Sequence, residues 1–321
     1  MKYPIMRYII LLSFLFATAV THSQTINYPY PVQSIHLSIE QQPVKMAYMD
    51  IAPNNSSGKV IVLLHGKNFN GYYWKDLIPF LTSKGFRVIV PDQVGWGQSD
   101  KPNIHYSFHL LSTNTKHLLD SLNVKEIYLL GHSMGGMLAA RFALLYPGMV
   151  KKLILENPIG LEDYKTFIPY KTVEATYATE LKLNLDSLKN YQKSYFPEWK
   201  PEYDQYVSAQ YEALQIPGFK TATWASALTY QMIYEQPVVY EFKDIKVPTC
   251  IIIGQSDRTV VGKKLLLPEE QKKHGDYPKL GKWLRDQIRH STLVELEGVG
   301  HIPHIQVPEV FKEKLSKFLM E

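Results

Sequence analysis

The stretch that most constrains the fold of this chain is 131–135, Gly-His-Ser-Met-Gly, which directly follows a short run of apolar strand formers. A helix-compatible segment then covers residues 137–146. A strand, a tight turn and a helix in this order are the context in which a G-x-S-x-G pattern presents a nucleophilic serine. Side chains at Gly131 and Gly135 would collide with neighbouring elements, and a serine on so sharp a turn takes a strained backbone. The pattern therefore predicts that the Ser133 hydroxyl stands at the edge of a sheet.

Strands and helices alternate on both sides of this stretch. Five consecutive aliphatic residues at 60–64 predict a strand that is buried on both faces, as in a parallel sheet. Segments 35–40 and 44–50 alternate apolar and polar residues and predict two antiparallel strands joined by a turn near 41–43. Further strands are expected at 86–90, 153–155, 248–254 and 292–296, and helices at 72–84, 107–122, 280–288 and 308–319. The alternation predicts an α/β protein with helices on both faces of a parallel sheet.

The α/β pattern is interrupted between about residues 160 and 237. Strand-like runs disappear there, and the segment is rich in tyrosine, phenylalanine and tryptophan. Pieces of helical spacing are visible, as at Tyr203, Tyr206 and Leu214. We expect a helical insertion laid over the sheet, in which most of the aromatic side chains pack against one another and a few face a cleft.

The first residues have the pattern of a secretory signal peptide. Lys2 and Arg7 precede an apolar run at 8–20, and small or polar residues follow. The run is short for a membrane-spanning helix, so we expect a signal peptide at 1–23 rather than an anchor, with cleavage after Ala19 or Ser23. The mature protein is then periplasmic or extracellular and has no stable membrane anchor.

Composition excludes several classes of function. The formal net charge is +5 and the basic residues are scattered, so there is no electrostatic footprint for nucleic acid. Cys250, the only cysteine, lies in an apolar run and is expected to be a buried, inert thiol. The sequence has no C-x-x-C or H-E-x-x-H pattern and no carboxylate-rich loop. We therefore expect neither a metal nor another cofactor.

A serine nucleophile needs a base and an acid that orients the base. Asp257 follows the strand expected at 248–254, and His301 follows the strand expected at 292–296. Both would lie at the same edge of a parallel sheet as Ser133, so the three side chains can converge. Glu156, at the end of the preceding strand, is an alternative acid, and His304 is an alternative base.

Several ordered motifs resemble those of the α/β-hydrolase superfamily. They are Leu64-His65-Gly66, Pro91-Asp92 followed by Gly95-x-Gly97-x-Ser99-Asp100, the GHSMGG stretch, Gly254-x-x-Asp257 and Gly300-His301. The resemblance implies an α/β-hydrolase fold: a mostly parallel, eight-stranded sheet with helices on both faces and a helical cap inserted after the sixth strand. The implied domains are a first core part at 24–159, the cap at 160–237 and a second core part at 238–321.

The resemblance also implies roles for individual residues. Ser133 would be the nucleophile, Asp257 the orienting acid and His301 the general base, while the backbone N–H groups of Met134 and Lys67 would form the oxyanion hole. Lys67 stands where the family often has a small residue. Its ammonium would either reach the pocket, which would suit a carboxylate-bearing substrate, or point into solvent. The histidines of the motifs at 65 and 132 are expected to be structural.

These residues favour a secreted serine hydrolase that cleaves a carboxylic ester with an apolar or aromatic acyl group. A proline-type aminopeptidase and a hydrolase of C–C bonds are alternatives on the same fold. The peptidase would use acidic groups of the cap, for which Glu174, Glu180, Glu202 and Glu212 are available. A non-catalytic binding protein is disfavoured because all three triad positions are filled. A polar segment at 262–279 lengthens the stretch between Asp257 and His301. It is either a loop near the cleft mouth or a surface excursion without function.

Overall fold

The computed structural model describes residues 27–321, so the signal peptide expected at 1–23 lies outside the described residues. The centre of the described chain is an eight-stranded sheet. Its strands are β1 (Val32–Ile39), β2 (Gln42–Ile51), β3 (Val60–Leu64), β4 (Arg87–Pro91), β5 (Ile127–His132), β6 (Val150–Glu156), β7 (Thr249–Gly254) and β8 (Ser291–Leu296). Their order across the sheet is β1-β2-β4-β3-β5-β6-β7-β8. Only the β1–β2 and β2–β4 pairs among them are antiparallel, so the mostly parallel eight-stranded sheet is confirmed.

The hairpin between β1 and β2 turns earlier than expected. Glu40 and Gln41 both have positive φ, 48° and 63°, and form a two-residue turn in place of the turn predicted near 41–43. Pro43 instead belongs to β2, opposite Ser38. It is tolerated because β4 pairs only with the far end of β2, from Tyr48 onward, so its missing N–H breaks no bond to β4.

Eleven α-helices flank or cover the sheet within residues 27–321. They are α1 (Ile78–Ser83), α2 (Phe108–Ser121), α3 (Met134–Leu145), α4 (Val173–Glu180), α5 (Leu185–Gln192), α6 (Asp204–Ala213), α7 (Phe219–Glu235), α8 (Pro268–Gln271), α9 (Tyr277–Gln287), α10 (Pro303–Gln306) and α11 (Pro308–Met320). None of the helices in this part of the chain is long and apolar enough to cross a membrane.

The prediction of a single helix at 72–84 is wrong. A short 3₁₀ turn, Gly71–Trp74, comes first, and its N–H group at Tyr72 is capped by the Asn70 side chain. Helix α1 then starts separately with Pro79 in its first turn. Proline is accepted at a helix start because the N–H groups there have no partner within the helix, so it marks a new beginning.

Alternate residues of each central strand pack against different helices. Ile61 and Leu63 belong to the cluster that contains α1 and α11, whereas Val62 and Leu64 belong to the cluster that contains α2, α3 and α9. The same alternation is present in β7, where Cys250 faces the first cluster. Burial raises the pKa of the Cys250 thiol to about 12, which suits an inert packing residue. Helices on both faces confirm the predicted layering.

A helical layer joins the sixth and seventh strands. Between the end of β6 at Glu156 and the start of β7 at Thr249, the described chain forms helices α4–α7 and four short 3₁₀ turns, with no strand. The position of this insertion after the sixth strand agrees with the expected fold. The domain limits at 159/160 and 237/238 stay predictions. The name cap is used below for residues 160–237.

Three backbone segments meet at the turn between β5 and α3. Ser133 has φ +56° and ψ −120°, a left-handed conformation that is strained for a residue with a side chain. A Cβ at Gly131 would overlap the carbonyl oxygen of Gly135, and a Cβ at Gly135 would overlap the carbonyl oxygen of Leu64. Glycine is therefore needed at both positions so that α3 can lie against β3 and β5.

Two buried histidines link this turn to the loops around it. His65 lies between the carbonyl of Gly66 and the N–H of Gln93. The Gly66 N–H donates to Tyr73 Oη at 3.0 Å. The His301 carbonyl near His132 Nε2 can only accept, so in the neutral ring Nε2 carries the proton and Nδ1 accepts from Tyr73 Oη at 3.1 Å. His132 Nε2–H then donates to the His301 carbonyl oxygen at 2.8 Å. Both histidines thus have the structural contacts expected of them.

These contacts require a neutral His132 ring. Burial lowers its pKa well below the ordinary value, and repulsion from positive charge at His301 and His304 lowers it further. In the unfolded chain the same side chain would titrate near its usual pKa of about 6.5. The unfolded state therefore binds a proton at this histidine more readily than the folded state does. As a result, the free energy of unfolding falls as the pH drops below about 6.5.

The crowding at Gly131 predicts a large effect of a single methyl group. We expect Gly131→Ala to lower the free energy of unfolding by about 3 kcal/mol or more, because backbone, not a flexible side chain, occupies the site. Gly148→Ala is the matched control, since a Cβ there meets nothing within 4 Å, and it should change stability by less than about 1 kcal/mol. Urea unfolding measures both. Equal losses would contradict the close approach.

The neutral His132 predicts a change in acid sensitivity. Between about pH 6.5 and 5, each such histidine makes the unfolding free energy fall by up to about 1.4 kcal/mol per pH unit. His132→Gln should therefore reduce that slope, whatever it does to stability at neutral pH. His36→Gln, at an exposed position on β1, should leave the slope unchanged. Urea unfolding at several pH values gives the slopes, and identical slopes in His132→Gln and wild type would refute the assignment.

Candidate active site

The Ser133 side chain stands at the carboxyl end of β5, where the strained turn lifts it out of the sheet. Its N–H donates to the Glu156 carbonyl at 3.1 Å, and its own carbonyl accepts from Ile159 N–H at 3.2 Å. These bonds tie the residue to the end of the neighbouring strand β6 and to the loop that follows it. Only 7 % of Ser133 is exposed, and it lines a cavity of about 640 Å³.

His301 and Asp257 converge on Ser133 from the ends of β8 and β7. His301 Nε2 lies 2.9 Å from Ser133 Oγ, and His301 Nδ1 lies 2.6 Å from Asp257 Oδ2. The side chains of His301 and Asp257 are each 1 % exposed. The structure thus brings together the three residues that the sequence proposed. The hydrogen bond between Ser133 and His301 can carry a proton from the hydroxyl to the imidazole, and the hydrogen bond between His301 and Asp257 orients the ring.

Asp257 is held in its ionised form. Burial alone would raise its pKa, but the positive charge of His301 and hydrogen bonds from His301, Thr259 and Asn157 outweigh burial and lower the pKa. The Thr259 N–H donates to Oδ1 and the Asn157 side-chain N–H donates to Oδ2, each at 2.8 Å. The carboxylate can therefore orient His301 and stabilise the imidazolium when it forms.

Sequence reasoning missed Asn157. Its side-chain oxygen accepts from the Gly254 N–H at 3.0 Å while its N–H group holds Asp257, so it ties β6 to the acid. It also has φ +37°, which asparagine tolerates better than most residues. The available signal was its position directly after a predicted buried strand, at the same edge as Ser133 and Asp257.

The alternative acid and base form a separate pair. Glu156 Oε1 accepts from the His304 backbone N–H at 2.8 Å and lies 2.9 Å from His304 Nδ1. The His304 ring stacks on Trp74 at 4.3 Å between centroids. Both residues are buried, and neither forms a hydrogen bond with the Ser133 or His301 side chain. This geometry gives Glu156 and His304 a structural pairing and leaves Asp257 as the carboxylate that contacts His301.

Two backbone segments flank Ser133 where an oxyanion would form. Met134 is the first residue of α3, and the first N–H groups of a helix have no intrahelical acceptor. Lys67 follows Gly66, where a Cβ would lie 3.1 Å from Ser133 Cβ, so this loop passes directly beside the serine. The Trp96 indole N–H fixes the loop by donating to the Lys67 carbonyl at 2.6 Å.

The cap contributes directly to the surroundings of His301. The Tyr195 carbonyl accepts from the His301 N–H at 2.7 Å, and the Tyr195 ring lies 4.9 Å from the His301 ring between centroids. The Tyr195 hydroxyl accepts from the Asn68 side chain at 2.7 Å. Tyr191, Tyr195 and Tyr230 are the cap tyrosines that line the cavity. The sequence showed these aromatic residues but could not give their directions.

The remaining cavity wall includes part of the segment at 262–279. Lys263, Lys264 and Leu265 line the cavity, so this excursion forms part of the cleft mouth. The Lys67 side chain also reaches the cavity, and its Nζ donates to Ser226 Oγ of α7 at 2.9 Å. The Lys67 ammonium was expected either to reach the pocket or to point into solvent, and the structure places it in the pocket.

Comparisons with known proteins agree with this architecture. The family model described as alpha/beta hydrolase fold matches residues 59–308. The crystal structure of a probable hydrolytic enzyme from Pseudomonas aeruginosa PAO1 is 43 % identical, with a TM-score of 0.89 over 92 % of this chain and 96 % of that chain. An uncharacterised protein of Mycobacterium bovis is 38 % identical over 105 residues, 33 % of this chain, and the match spans only 30 % of that relative's length.

A longer match is to a 2-hydroxy-6-oxo-2,4-heptadienoate hydrolase of Pseudomonas putida, which is 28 % identical over 64 % of this chain and 74 % of that protein. The family match covers well over half of the chain, and it includes β3, the strained turn at Ser133 and both strands that lead to Asp257 and His301. The resemblance drawn from the sequence motifs is therefore confirmed. The chain belongs to the alpha/beta hydrolase family and is an enzyme of the hydrolase class.

Proposed function

We propose that this protein is a serine hydrolase of carboxylic esters that uses Ser133, His301 and Asp257. The proposal rests on the hydrogen bonds that link Asp257 to His301 and His301 to Ser133. Ser133 lines the 640 Å³ cavity, where a substrate can reach it. A serine held in this way is activated by the neighbouring base. Aspartate, which opens epoxides or displaces halide in other members of this fold, is absent from position 133.

The reaction runs in two halves. His301 Nε2 takes the proton of Ser133 while Oγ attacks the ester carbonyl, and the N–H groups of Met134 and Lys67 donate to the oxyanion. His301 then returns the proton to the departing alcohol, which leaves an acyl group on Ser133. In the second half, His301 deprotonates a water molecule that attacks the acyl carbon, and the acid and the serine hydroxyl are released.

The walls next to Ser133 support an apolar or aromatic acyl group. Phe69, Trp96, Ile159 and Tyr195 line the cavity together with Ser133. These side chains offer apolar surface, and burying it stabilises a bound acyl chain by about 0.8 kcal/mol per methylene group.

The aminopeptidase alternative has less support. It would need a carboxylate that receives the free amine of a peptide. Among the cap glutamates at 174, 180, 202 and 212, only Glu180 lines the cavity, and it lies 3.8 Å from the Lys67 ammonium. Hydrolysis of a C–C bond is the second candidate, and the name of the Pseudomonas putida relative favours it.

We also propose that the protein is exported, which rests on the pattern of basic, apolar and small residues at 1–23. Expression of the full-length chain should yield a periplasmic or extracellular protein that starts at residue 20 or 24. Edman sequencing of the purified protein gives its first residue. An intact N-terminus in the cytoplasmic fraction would overturn the proposal.

The nucleophile can be tested by covalent labelling. A fluorophosphonate probe should label wild type at Ser133, because the activated Oγ attacks phosphorus as it would attack an ester. Ser133→Ala should lose the label and reduce hydrolysis of p-nitrophenyl butyrate by at least about 10⁴-fold. Undiminished labelling of Ser133→Ala, with the site mapped elsewhere by peptide mass spectrometry, would refute the role of Ser133.

The choice of acid can be tested by a matched pair of amides. Asp257→Asn should lower kcat by roughly 10³–10⁴-fold, because the amide no longer stabilises the imidazolium or fixes its tautomer. Glu156→Gln should stay within about tenfold of wild type, since it faces His304. Circular dichroism verifies that both variants fold. A larger loss in Glu156→Gln than in Asp257→Asn would reverse the assignment.

A substrate panel separates the reaction classes. We expect turnover of p-nitrophenyl esters with acyl chains of moderate length, and none of aminoacyl p-nitroanilides. The substrate 2-hydroxy-6-oxo-2,4-heptadienoate tests C–C cleavage through loss of its dienol absorbance. Faster turnover of either alternative substrate, compared by kcat/KM, would replace the ester proposal.

A further inference from the structure

The Lys67 ammonium is an unusual feature of the cavity. The Lys67 side chain is 13 % exposed, and its Nζ crosses from the core to the cap, where it donates to Ser226 Oγ at 2.9 Å. The same residue supplies the backbone N–H proposed for the oxyanion hole. A positive charge is thereby held in the same cavity as the reacting serine, with a hydroxyl beside it.

Within residues 27–321, Glu180 is the one carboxylate within 4 Å of this ammonium, and it is a loose partner. Glu180 Oε1 lies 3.8 Å from Lys67 Nζ, beyond hydrogen-bond distance, and the Glu180 side chain is 16 % exposed. Glu180 is also the last residue of α4, where the negative end of the helix dipole disfavours a carboxylate. An incoming anion can therefore compete with Glu180 for Lys67.

Positive charge also dominates the rest of the cavity wall. Lys67 and Glu180 are accompanied in the lining by five further cations: Lys101, Lys171, Arg258, Lys263 and Lys264. Within residues 27–321 none of these five lies within 4 Å of a carboxylate. Four of them donate to neutral groups, as in the contacts of Lys171 with Thr179 Oγ1 and of Lys263 with the carbonyls of Arg258 and His274. The fifth, Lys264, has its Nζ over the Tyr191 ring.

Lys101 is the most deeply buried of these cations, and no carboxylate in the described part of the chain pairs with it. The residue is 5 % exposed, and its ammonium donates to the carbonyls of Gly97 and Ser99 at 2.7 and 3.1 Å. Burial lowers its pKa to about 8, although Asp92 and Asp100 act in the opposite direction. A cleft in which one sign of charge predominates focuses the potential and attracts ligands of the opposite sign.

We propose that the preferred ester carries a second, free carboxylate, which binds at Lys67 Nζ and Ser226 Oγ and displaces Glu180. This inference rests on the proposed esterase activity and names its substrate class. The apolar side chains beside Ser133 then hold the chain between the ester and the carboxylate. The same wall disfavours substrates with a free amine.

Two pairs of probes distinguish where the carboxylate lies. Mono-4-nitrophenyl suberate carries it on the acyl side, and the corresponding methyl ester is its neutral match. The compound 4-(butyryloxy)benzoate carries it on the alcohol side, and its methyl ester is the neutral match. The readout is the selectivity, defined as kcat/KM for the anionic ester divided by kcat/KM for its neutral match, after subtraction of spontaneous hydrolysis.

Substitutions of Lys67 and of Glu180 should change this selectivity in opposite directions. Wild type should have a selectivity of about 10 or more in one series. Lys67→Met should lower it at least tenfold, Lys67→Arg should retain most of it, and Glu180→Gln should raise it, because the competing anion is gone. The selectivity ratio is used because Lys67 also lies in the catalytic machinery. Damage to the fold would not raise the selectivity of Glu180→Gln.

Lys125→Met is the control for loss of one positive charge. Lys125 is exposed and precedes β5, at the sheet edge opposite the carboxyl ends, and its removal should leave the selectivity unchanged. A wild-type selectivity near or below one in both series, or equal selectivities in wild type and Lys67→Met, would overturn the carboxylate site. If none of the four esters is hydrolysed and Ser133 is not labelled by fluorophosphonate, the proposed ester hydrolysis itself fails.

Discussion

The close approach of backbone to backbone beneath Ser133 is the constraint on which the candidate site depends. Helix α3 lies so near β3 and β5 that the carbonyls of Leu64 and Gly135 fill the space that side chains at Gly135 and Gly131 would take. This packing forces the chain into a left-handed turn at Ser133 and aims the hydroxyl away from the sheet. The packing of α3 against the sheet thus positions Ser133 independently of His301 and Asp257.

The partners of Ser133 are fixed by contacts between loops rather than by the strands alone. Tyr73 and His132 connect the N–H of Gly66, in the loop of the proposed oxyanion hole, to the carbonyl of His301. Asn157 connects β6 to Asp257 in the same way. A rigid network of this kind holds reacting groups in place at little entropic cost when the substrate binds.

Much of this arrangement could be predicted from the sequence because parallel strands end at a common edge. The apolar runs that end at 130, 254 and 296 in the sequence placed Ser133, Asp257 and His301 on that edge without any knowledge of distances. Contacts between side chains of distant loops have no such periodic signal. Asn157 was therefore missed, and the inward direction of Tyr195 and of the Lys67 ammonium could be read only from the structure.

The main-chain hydrogen bond from His301 to Tyr195 limits how far the cap is an exchangeable module. Gly300 accommodates the Tyr195 carbonyl, which would overlap any larger residue at that position. Recombination or engineering that replaced the whole cap would remove a support of the general base along with the specificity wall. A transplanted cap would have to bring an equivalent carbonyl to the same point, so chimaeras built at cap boundaries alone are poor starting points for altering specificity in this chain.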